Sequence, residues 1–299
     1  MTSLFLSAKS LKLTLTCIWF GIFISLSQPF SVLQDYGTFA FLGVIGAIFA
    51  NATGAGGGVV FMPFFNQLGF SVTTSVATSF AIQCCGMTAG ALTWYVHFKQ
   101  LTRYKLTEAD EWEVLPKILM LVIPASVLGL CFVQFNSQSL QQLSDPNTLH
   151  LGFGLFSMCL SLGIIGSVFW VKTQSFNTSL YFIDYVSLII VGLIGGGITA
   201  WLSIGVGELI AVYLIVRRFN VAFAIAVAVI VSAFTVWAGI VYHIVVTAAV
   251  QWPVVLFAGA GAIIGGVLAK KLVLYFSPKN LKLFFAVWIF ILGLTSLPF

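Results

Sequence analysis

Charged side chains are scarce in this chain, at 7% of its 299 residues, whereas 60% of the residues are hydrophobic. Soluble globular domains carry about 25% charged residues, so the composition excludes that class. The 13 Lys and Arg residues are spread over separate short segments and form no basic patch, so we expect no nucleic-acid partner. The phosphate-binding loop G-x-x-x-x-G-K-[ST] is also absent, which disfavours an ATP-driven pump within this chain.

Cysteine and histidine are few as well. The five cysteines all lie in apolar stretches, and the three histidines are scattered along the chain. Neither type shows the spacing that metal ligands have in known sites. We therefore expect no metal centre and no cofactor.

Long apolar runs are abundant instead. Crossing a hydrocarbon core ~30 Å thick takes about 20 residues of helix, and seven runs have roughly that length. They lie at 11–27, 72–96, 114–134, 149–171, 221–247, 253–275 and 281–298. The sequence therefore predicts an all-α, multi-pass protein of the cell (inner) membrane, surrounded by the lipid bilayer.

The first of these runs permits two interpretations. Lys9 and Lys12 precede the apolar segment Leu13–Leu26, which has the proportions of a signal peptide. The same two lysines would equally orient a retained first span with its N-terminus in the cytoplasm. We favour the retained span, followed by an external loop that contains Asp35.

Two further apolar stretches, at 38–68 and 183–216, are interrupted by glycines. If the first crossed the membrane as one helix, Lys99, Arg103 and Lys105 would lie outside, against the cytoplasmic preference of basic residues. If both stretches enter, turn and return on the same side, every Lys and Arg is cytoplasmic. Each arm of the first stretch would be about 20 Å long and would reach roughly half-way through the core. We therefore predict two re-entrant Gly-rich hairpins and an external C-terminus.

The two hairpins belong to an internal repeat. A shift that places Gly43 on Gly192 aligns the two halves without a gap as far as Gly90. The identical pairs are Gly43/Gly192, Ile45/Ile194, Gly46/Gly195, Gly56/Gly205, Gly58/Gly207, Phe70/Phe219, Val72/Val221, Ala77/Ala226, Ala89/Ala238 and Gly90/Gly239.

Each half contains a hairpin and three spans, so the second half begins on the opposite side of the membrane from the first. Such an inverted-topology repeat is typical of secondary transporters, whose substrate sites lie between broken helices near the midplane. We assign residues 37–171 to the first repeat and 172–299 to the second. Residues 1–36 lie outside the repeat.

The hairpin tips, residues 51–58 (the first tip) and 200–208 (the second tip), are the candidate substrate site. A new half-helix begins at each tip, so free N–H groups and the positive end of the helix dipole are expected there. Glycines let an anion approach such amides, although any one glycine can equally serve the turn alone. The predicted substrate-binding residues are Asn51, Thr53, Gly54, Gly56, Gly57, Gly58, Gln83, Ser203, Gly205 and Gly207.

Two polar side chains stand out within the apolar runs. Gln83 lies in mid-span, where an amide needs a hydrogen-bond partner. Glu208 is nine residues, or ~13.5 Å of helix, from Arg217 at the predicted cytoplasmic edge. A carboxyl group within a membrane is costly and indicates a function, although an acidic residue is also favoured at any helix N-terminus. We predict that Glu208 couples a proton to transport.

These residues resemble the sulfite exporter TauE/SafE family, also called the TSUP permeases. The similarity rests on the glycine-rich first tip followed by Pro63, on the run Ala77-Thr78-Ser79, and on Gly205-Val206-Gly207-Glu208. It covers about residues 37–298 and implies transport of sulfite, sulfonates or related small organosulfur anions. The second tip departs from the commoner G-x-G-G-G-x-x-x-x-P pattern, with Val206 in place of a glycine and Val212 opposite Pro63.

The sequence therefore predicts a secondary transporter of a small oxyanion, linked to protons and working by alternating access. A small-anion channel, or a transporter of an unrelated small organic anion, is the alternative. An intramembrane protease would need a nucleophile paired with a base, and the candidates Ser203 and His243 have no recognisable motif around them. We expect no enzymatic activity.

Overall fold

The computed structural model describes residue 14 and residues 16–104, 109–136, 146–170 and 177–295. These residues form helices and short connections, with no strand among them. In chain order the helices are α1 (Thr16–Ile24), α2 (Pro29–Tyr36), α3 (Phe39–Thr53), α4 (Gly58–Gln67), α5 (Val72–Tyr104), α6 (Ala109–Trp112), α7 (Leu115–Phe135), α8 (Pro146–Trp170), α9 (Phe182–Leu202), α10 (Val206–Val216), α11 (Val221–Val245), α12 (Trp252–Tyr275) and α13 (Pro278–Thr295).

Five segments of the described chain are long and apolar enough to cross a membrane: α5, α6 with α7, α9, α11 and α12. Helices α1 and α2 would add a sixth as a pair bent by 113°. The prediction of an all-α, multi-pass membrane protein is therefore confirmed. Four of the five segments coincide with predicted spans, at 72–96, 114–134, 221–247 and 253–275, whereas the fifth, α9, lies in the second stretch predicted to be re-entrant. The runs at 149–171 and 281–298 coincide with α8 and α13, and part of the run at 11–27 lies outside the described residues.

Two predicted loops are helical. Asp35, expected in an external loop, lies in α2, which begins at Pro29 and ends where the Gly37 N–H donates to the Leu33 carbonyl oxygen. Proline is favoured at the first position of a helix because its fixed φ suits the first turn and its missing N–H is not needed there.

Helix α5 has 33 residues, or ~50 Å, and continues to Tyr104 instead of ending near residue 96. Trp94 and Leu101, near its end, are buried in the same apolar cluster as Trp112 of α6 and Phe223 of α11. The ring centroids of Trp94 and Trp112 are 6.0 Å apart. This burial favours a helical extension over the loop that the charges at Lys99 and Arg103 suggest.

Helices α3 and α4 turn back on each other. The ring of Phe39, at the start of α3, lies 6.3 Å from the rings of Phe64 and Phe65, near the end of α4. Closer to the break, the ring of Phe61 packs on Gly46, where a Cβ would lie only 2.5 Å from it. The two arms have 15 and 10 residues, or ~22 and ~15 Å.

Helices α9 and α10 form a second pair of this kind. Asp184, in the first turn of α9, contacts Arg217, which directly follows α10. At 21 residues, or ~31 Å, α9 is longer than either arm of the first pair. A Cβ on Gly195 would lie 2.7 Å from the Cα of Val206, so α10 begins beside the middle of α9 and not at its end.

The two halves of the chain exchange packing partners. Helix α3 packs on α12, where the backbones of Gly43 and Ala258 are in direct contact. Helix α9 packs on α7, where Gly129 contacts the backbone of Leu193 in the same way. Small residues at such crossings let helices approach closely. The first arm of each helix pair therefore packs against the opposite half of the chain.

Candidate anion site at the helix breaks

The helix break of the first pair and that of the second are in direct contact. The Gly56 N–H donates to Oε1 of Glu208 over 2.8 Å, although the two residues are 152 positions apart in sequence. A Cβ on Gly58 would lie 2.7 Å from the carbonyl oxygen of Ser203, and one on Gly207 would collide with the carbonyl oxygen of Gly54. These positions need glycine because another backbone lies where a side chain would start.

Local backbone geometry explains where the helices stop. Gly54 ends α3 with φ 78°, in the left-handed region that glycine adopts readily. Ser203 ends α9 with φ 60°, and Gly205 follows with φ 137°. Thr199 stabilises the second break, because its hydroxyl oxygen accepts from the Val206 N–H at 3.0 Å.

Gln83 of α5 joins both breaks. Its Oε1 accepts from the Gly57 N–H at 2.9 Å, and its Nε2 donates to Oγ of Ser203 at 2.7 Å and to Oγ of Ser79 at 3.0 Å. The Ser203 hydroxyl in turn donates to Ser79 at 2.9 Å. All four residues named here are buried, so the amide of Gln83 has the partners that its position in mid-span requires.

Glu208 is 3% exposed and lies in the first turn of α10. Its Oε1 accepts from Gly56 of the first break, and its Oε2 accepts from the Gly205 N–H of its own break at 2.8 Å. Neither oxygen contacts a cationic side chain in the described part of the chain. Backbone N–H groups and the positive end of the α10 dipole therefore surround this carboxyl group.

Asn51 and Thr53, predicted to donate to a substrate, make hydrogen bonds within the protein. Asn51 Nδ2 donates to the carbonyl oxygens of Ala47 and Gly86. The Thr53 hydroxyl donates to the carbonyl oxygen of Phe49 and accepts from the Ala55 N–H. The Oδ1 of Asn51 and the Oγ of Ser232 on α11 are buried, and neither has a hydrogen-bond partner in the described part of the chain.

The structure brings all the predicted site residues to the two breaks or beside them. The N–H of Gly57, which with that of Gly58 was expected to be free, donates to Gln83, and the N–H of Gly56 donates to Glu208. The space beside Asn51, Gly57 and Gln83 is too narrow for a water molecule. The breaks are therefore closed in this conformation.

Ser203 and His243, the candidates for a protease, are not paired. The Ser203 hydroxyl contacts Gln83 and Ser79, as described above. His243 has its Nε2 3.4 Å from Nε2 of Gln134, and its ring packs on Phe80.

One polar cluster was missed from the sequence. Asp184 is buried and accepts from Nε of Arg217 at 2.6 Å, from Nη2 of Arg217 at 3.1 Å and from the Tyr213 hydroxyl at 2.7 Å. These hydrogen bonds raise the pKa of the Arg217 guanidinium above its ordinary value, so it stays charged. The sequence feature that could have indicated this cluster is Asp184 in the first turn of the apolar helix α9, together with Arg217 directly after α10. The cluster joins the two ends of the second helix pair.

One of three comparisons with known proteins found a match. Residues 39–296 match the family described as sulfite exporter TauE/SafE. No curated protein and no solved structure is significantly similar to the chain. The match covers both helix breaks and every span from α5 to α12. The chain therefore belongs to the sulfite exporter TauE/SafE family.

Proposed function

We propose that this protein is a secondary transporter that moves a small sulfur oxyanion, such as sulfite or a sulfonate, across the cell membrane, and that the contacting helix breaks are its substrate site. The observation that carries the proposal is the pair of breaks itself. Gly56 and Gly205, which belong to different breaks, both donate a backbone N–H to one buried carboxyl group, in a family of membrane transporters.

The exchanged packing of the two halves supports an inverted repeat. Helix α3 packs on α12 and α9 packs on α7, as expected if the halves are related by a pseudo-two-fold axis in the membrane plane. The contacts of Phe39 with Phe64 and of Asp184 with Arg217 support two re-entrant hairpins. In each pair the start of the first helix lies beside the end of the second, as expected if the chain enters and leaves on the same side of the membrane. The breaks would then meet near the midplane, and the Lys and Arg residues would face the cytoplasm.

The site residues have distinct roles in this proposal. Amides of the first break bind the anion, and Gln83 with Ser203 holds the two breaks together when the site is closed. Glu208 carries the coupling proton, because it is the titratable group at the breaks. Alternating access exposes this group and the anion to each side of the membrane in turn.

Transport into liposomes tests the proposal. Purified protein is reconstituted with and without a pH gradient, and the uptake of sulfite, thiosulfate, methanesulfonate and gluconate is compared. We expect uptake of at least one of the three sulfur anions, accumulation above the external concentration when a pH gradient is present, and no uptake of gluconate. Uptake that only equilibrates the anion would indicate a channel, and selective uptake of gluconate would indicate a different substrate class.

A variant of Glu208 tests the proposed coupling of a proton to transport. Glu208→Gln keeps the shape of the side chain and removes its titration, so we expect it to exchange anion across the membrane but to lose accumulation driven by the pH gradient. Accumulation with an unchanged pH dependence would show that the coupling proton travels elsewhere.

A further inference from the structure

The carboxyl group of Glu208 occupies the place that a bound anion would take at the helix breaks. Its two oxygens accept from Gly56 of one break and from Gly205 of the other, both at 2.8 Å. These glycines are equivalent positions in the two aligned halves of the sequence. Each break therefore already donates a backbone N–H to an acidic group, and that group belongs to the protein.

We propose that Glu208 is a tethered competitor of the transported anion, so that its ionised carboxylate and the substrate bind the amides of Gly56 and Gly205 in turn and never together. This inference rests on the proposed function, in which the breaks bind the anion. Protonation releases the carboxyl group, because a neutral acid is a much weaker acceptor than a carboxylate. The substrate then takes over the two N–H donors.

A second buried group supports an exchange of ligands here. Ser232 is 1% exposed, and its hydroxyl has no hydrogen-bond partner among the residues that the structure describes. It lies against the first turn of α10, where a Cβ on Gly207 would be 2.5 Å from its Oγ. The residue next to Gly207 is Glu208. A free hydroxyl at this position can donate to an arriving anion or accept from the protonated carboxyl group after it moves.

The close packing of the breaks makes the exchange obligatory. The carbonyl oxygen of Gly54 contacts Gly207, and Gly58 contacts the backbone of Ser203. A multi-atom oxyanion does not fit beside the carboxylate without parting these backbones. Since Glu208 bridges the two breaks through Gly56 and Gly205, its release also removes one of the contacts that hold them together.

Several other titratable groups on the packed helices have partners of their own. The Cys84 thiol of α5 donates to the carbonyl oxygen of Val236, and His243 of α11 contacts Gln134. Asp184 of α9 and Arg217 form an ion pair at the far end of α10. None of these groups hydrogen-bonds to Glu208 within the described residues. The pH dependence of anion binding should therefore follow the titration of Glu208.

Competition has a quantitative consequence. If only the protonated form of Glu208 admits the anion, binding of one anion takes up to one proton from solution. Above the titration range of Glu208, the apparent affinity for the anion then falls by up to about tenfold for each unit of pH. A capping role for Glu208 predicts neither effect.

Binding and proton uptake by the full-length protein in detergent test this inference. Thiosulfate and methanesulfonate serve as probes, because their own charge does not change near neutral pH. In the wild type we expect affinity to fall as pH rises and, above the titration range of Glu208, proton uptake to approach one per anion bound. In Glu208→Gln we expect an affinity that is independent of pH, at least about tenfold tighter than the wild type at the alkaline end of the range, and no proton uptake.

Glu113→Gln is the matched control, since it makes the same chemical change at an exposed position and should keep the wild-type profile. Wild-type binding without proton uptake at every pH, up to the alkaline end of the range, would overturn the inference, and so would a folded Glu208→Gln with unchanged pH dependence. The wild-type proton measurement decides the matter even if the variant does not fold. A folded wild type that neither binds nor transports any of the sulfur anions would instead overturn the proposed function.

Discussion

Gln83 and Ser203, 120 positions apart, are joined by two hydrogen bonds from one amide nitrogen, at 2.7 Å to the hydroxyl and 3.1 Å to the carbonyl oxygen. The carbonyl oxygen of the same amide accepts from Gly57 of the other break. A single side chain on α5 thus connects the two helix pairs. Any movement that opens the site must break one of these two connections.

Replacement of Gln83 by Leu should therefore destabilise the closed site. The Gly57 N–H would lose its acceptor, whereas the Ser203 hydroxyl would keep its hydrogen bond to Ser79. A buried polar group left unpaired costs about 1–3 kcal/mol. We expect a lower melting temperature in detergent and a loss of most transport into liposomes. Gln134→Leu is the control, because this buried amide lies away from the breaks and contacts Gly239 and His243. Wild-type transport by Gln83→Leu would contradict this role.

Gly207→Ala should separate the two breaks. Its new Cβ would collide with the backbone oxygen of Gly54 and meet the Ser232 hydroxyl. Because the backbone cannot rotate away as a side chain can, we expect a cost of about 1–3 kcal/mol and strongly reduced transport. Gly163→Ala in α8 is the matched change, since nothing lies within 4 Å of the Cβ it would add. Equal behaviour of the two variants in melting and transport assays would argue against contact between the breaks.

The ion pair between Asp184 and Arg217, which joins the two ends of the second helix pair, should contribute to stability. Asp184→Asn removes the charge that Arg217 and Tyr213 contact, and we expect a loss of about 1–3 kcal/mol because Arg217 still reaches water. Arg217→Lys should lose less, since it keeps the charge but not the two-pronged hydrogen bonding. Thermal unfolding in detergent measures both, with the exposed Arg103→Ala as control. A melting temperature of Asp184→Asn equal to that of the control would contradict this role.

The proposed topology can be tested by labelling in intact cells. Single cysteines at Arg103 and Asn136, both exposed, are introduced into a variant without native cysteines. A membrane-impermeant maleimide should label position 136 from outside, whereas position 103 should react only after the cells are opened. External labelling at position 103 would show that the basic end of α5 is not cytoplasmic and that the first helix pair crosses the membrane.

The helix breaks could be located from sequence because their cause is local. Gly54 and Gly205 have positive φ angles, and glycine adopts these at little cost. Gln83 and Glu208 stood out because polar groups are expensive inside a membrane. Asp184 was not predicted because its contribution to stability depends on Arg217, which is 33 positions away in sequence and adjacent in space.

The sequence by itself determined the class of the protein, the positions of its breaks and its family, because hydrophobic length, glycine flexibility and motif spacing are properties of the linear chain. Only the tertiary structure decided that the amides of Gly56 and Gly57 are occupied and that Glu208 contacts both breaks. Hydropathy cannot reveal which buried donor meets which acceptor, since that pairing arises when α5, α9 and α10 pack together. The sequence also did not show that α10 begins beside Gly195. This contact arises from the packing of α10 on α9, and it sets how deep Glu208 lies in the membrane.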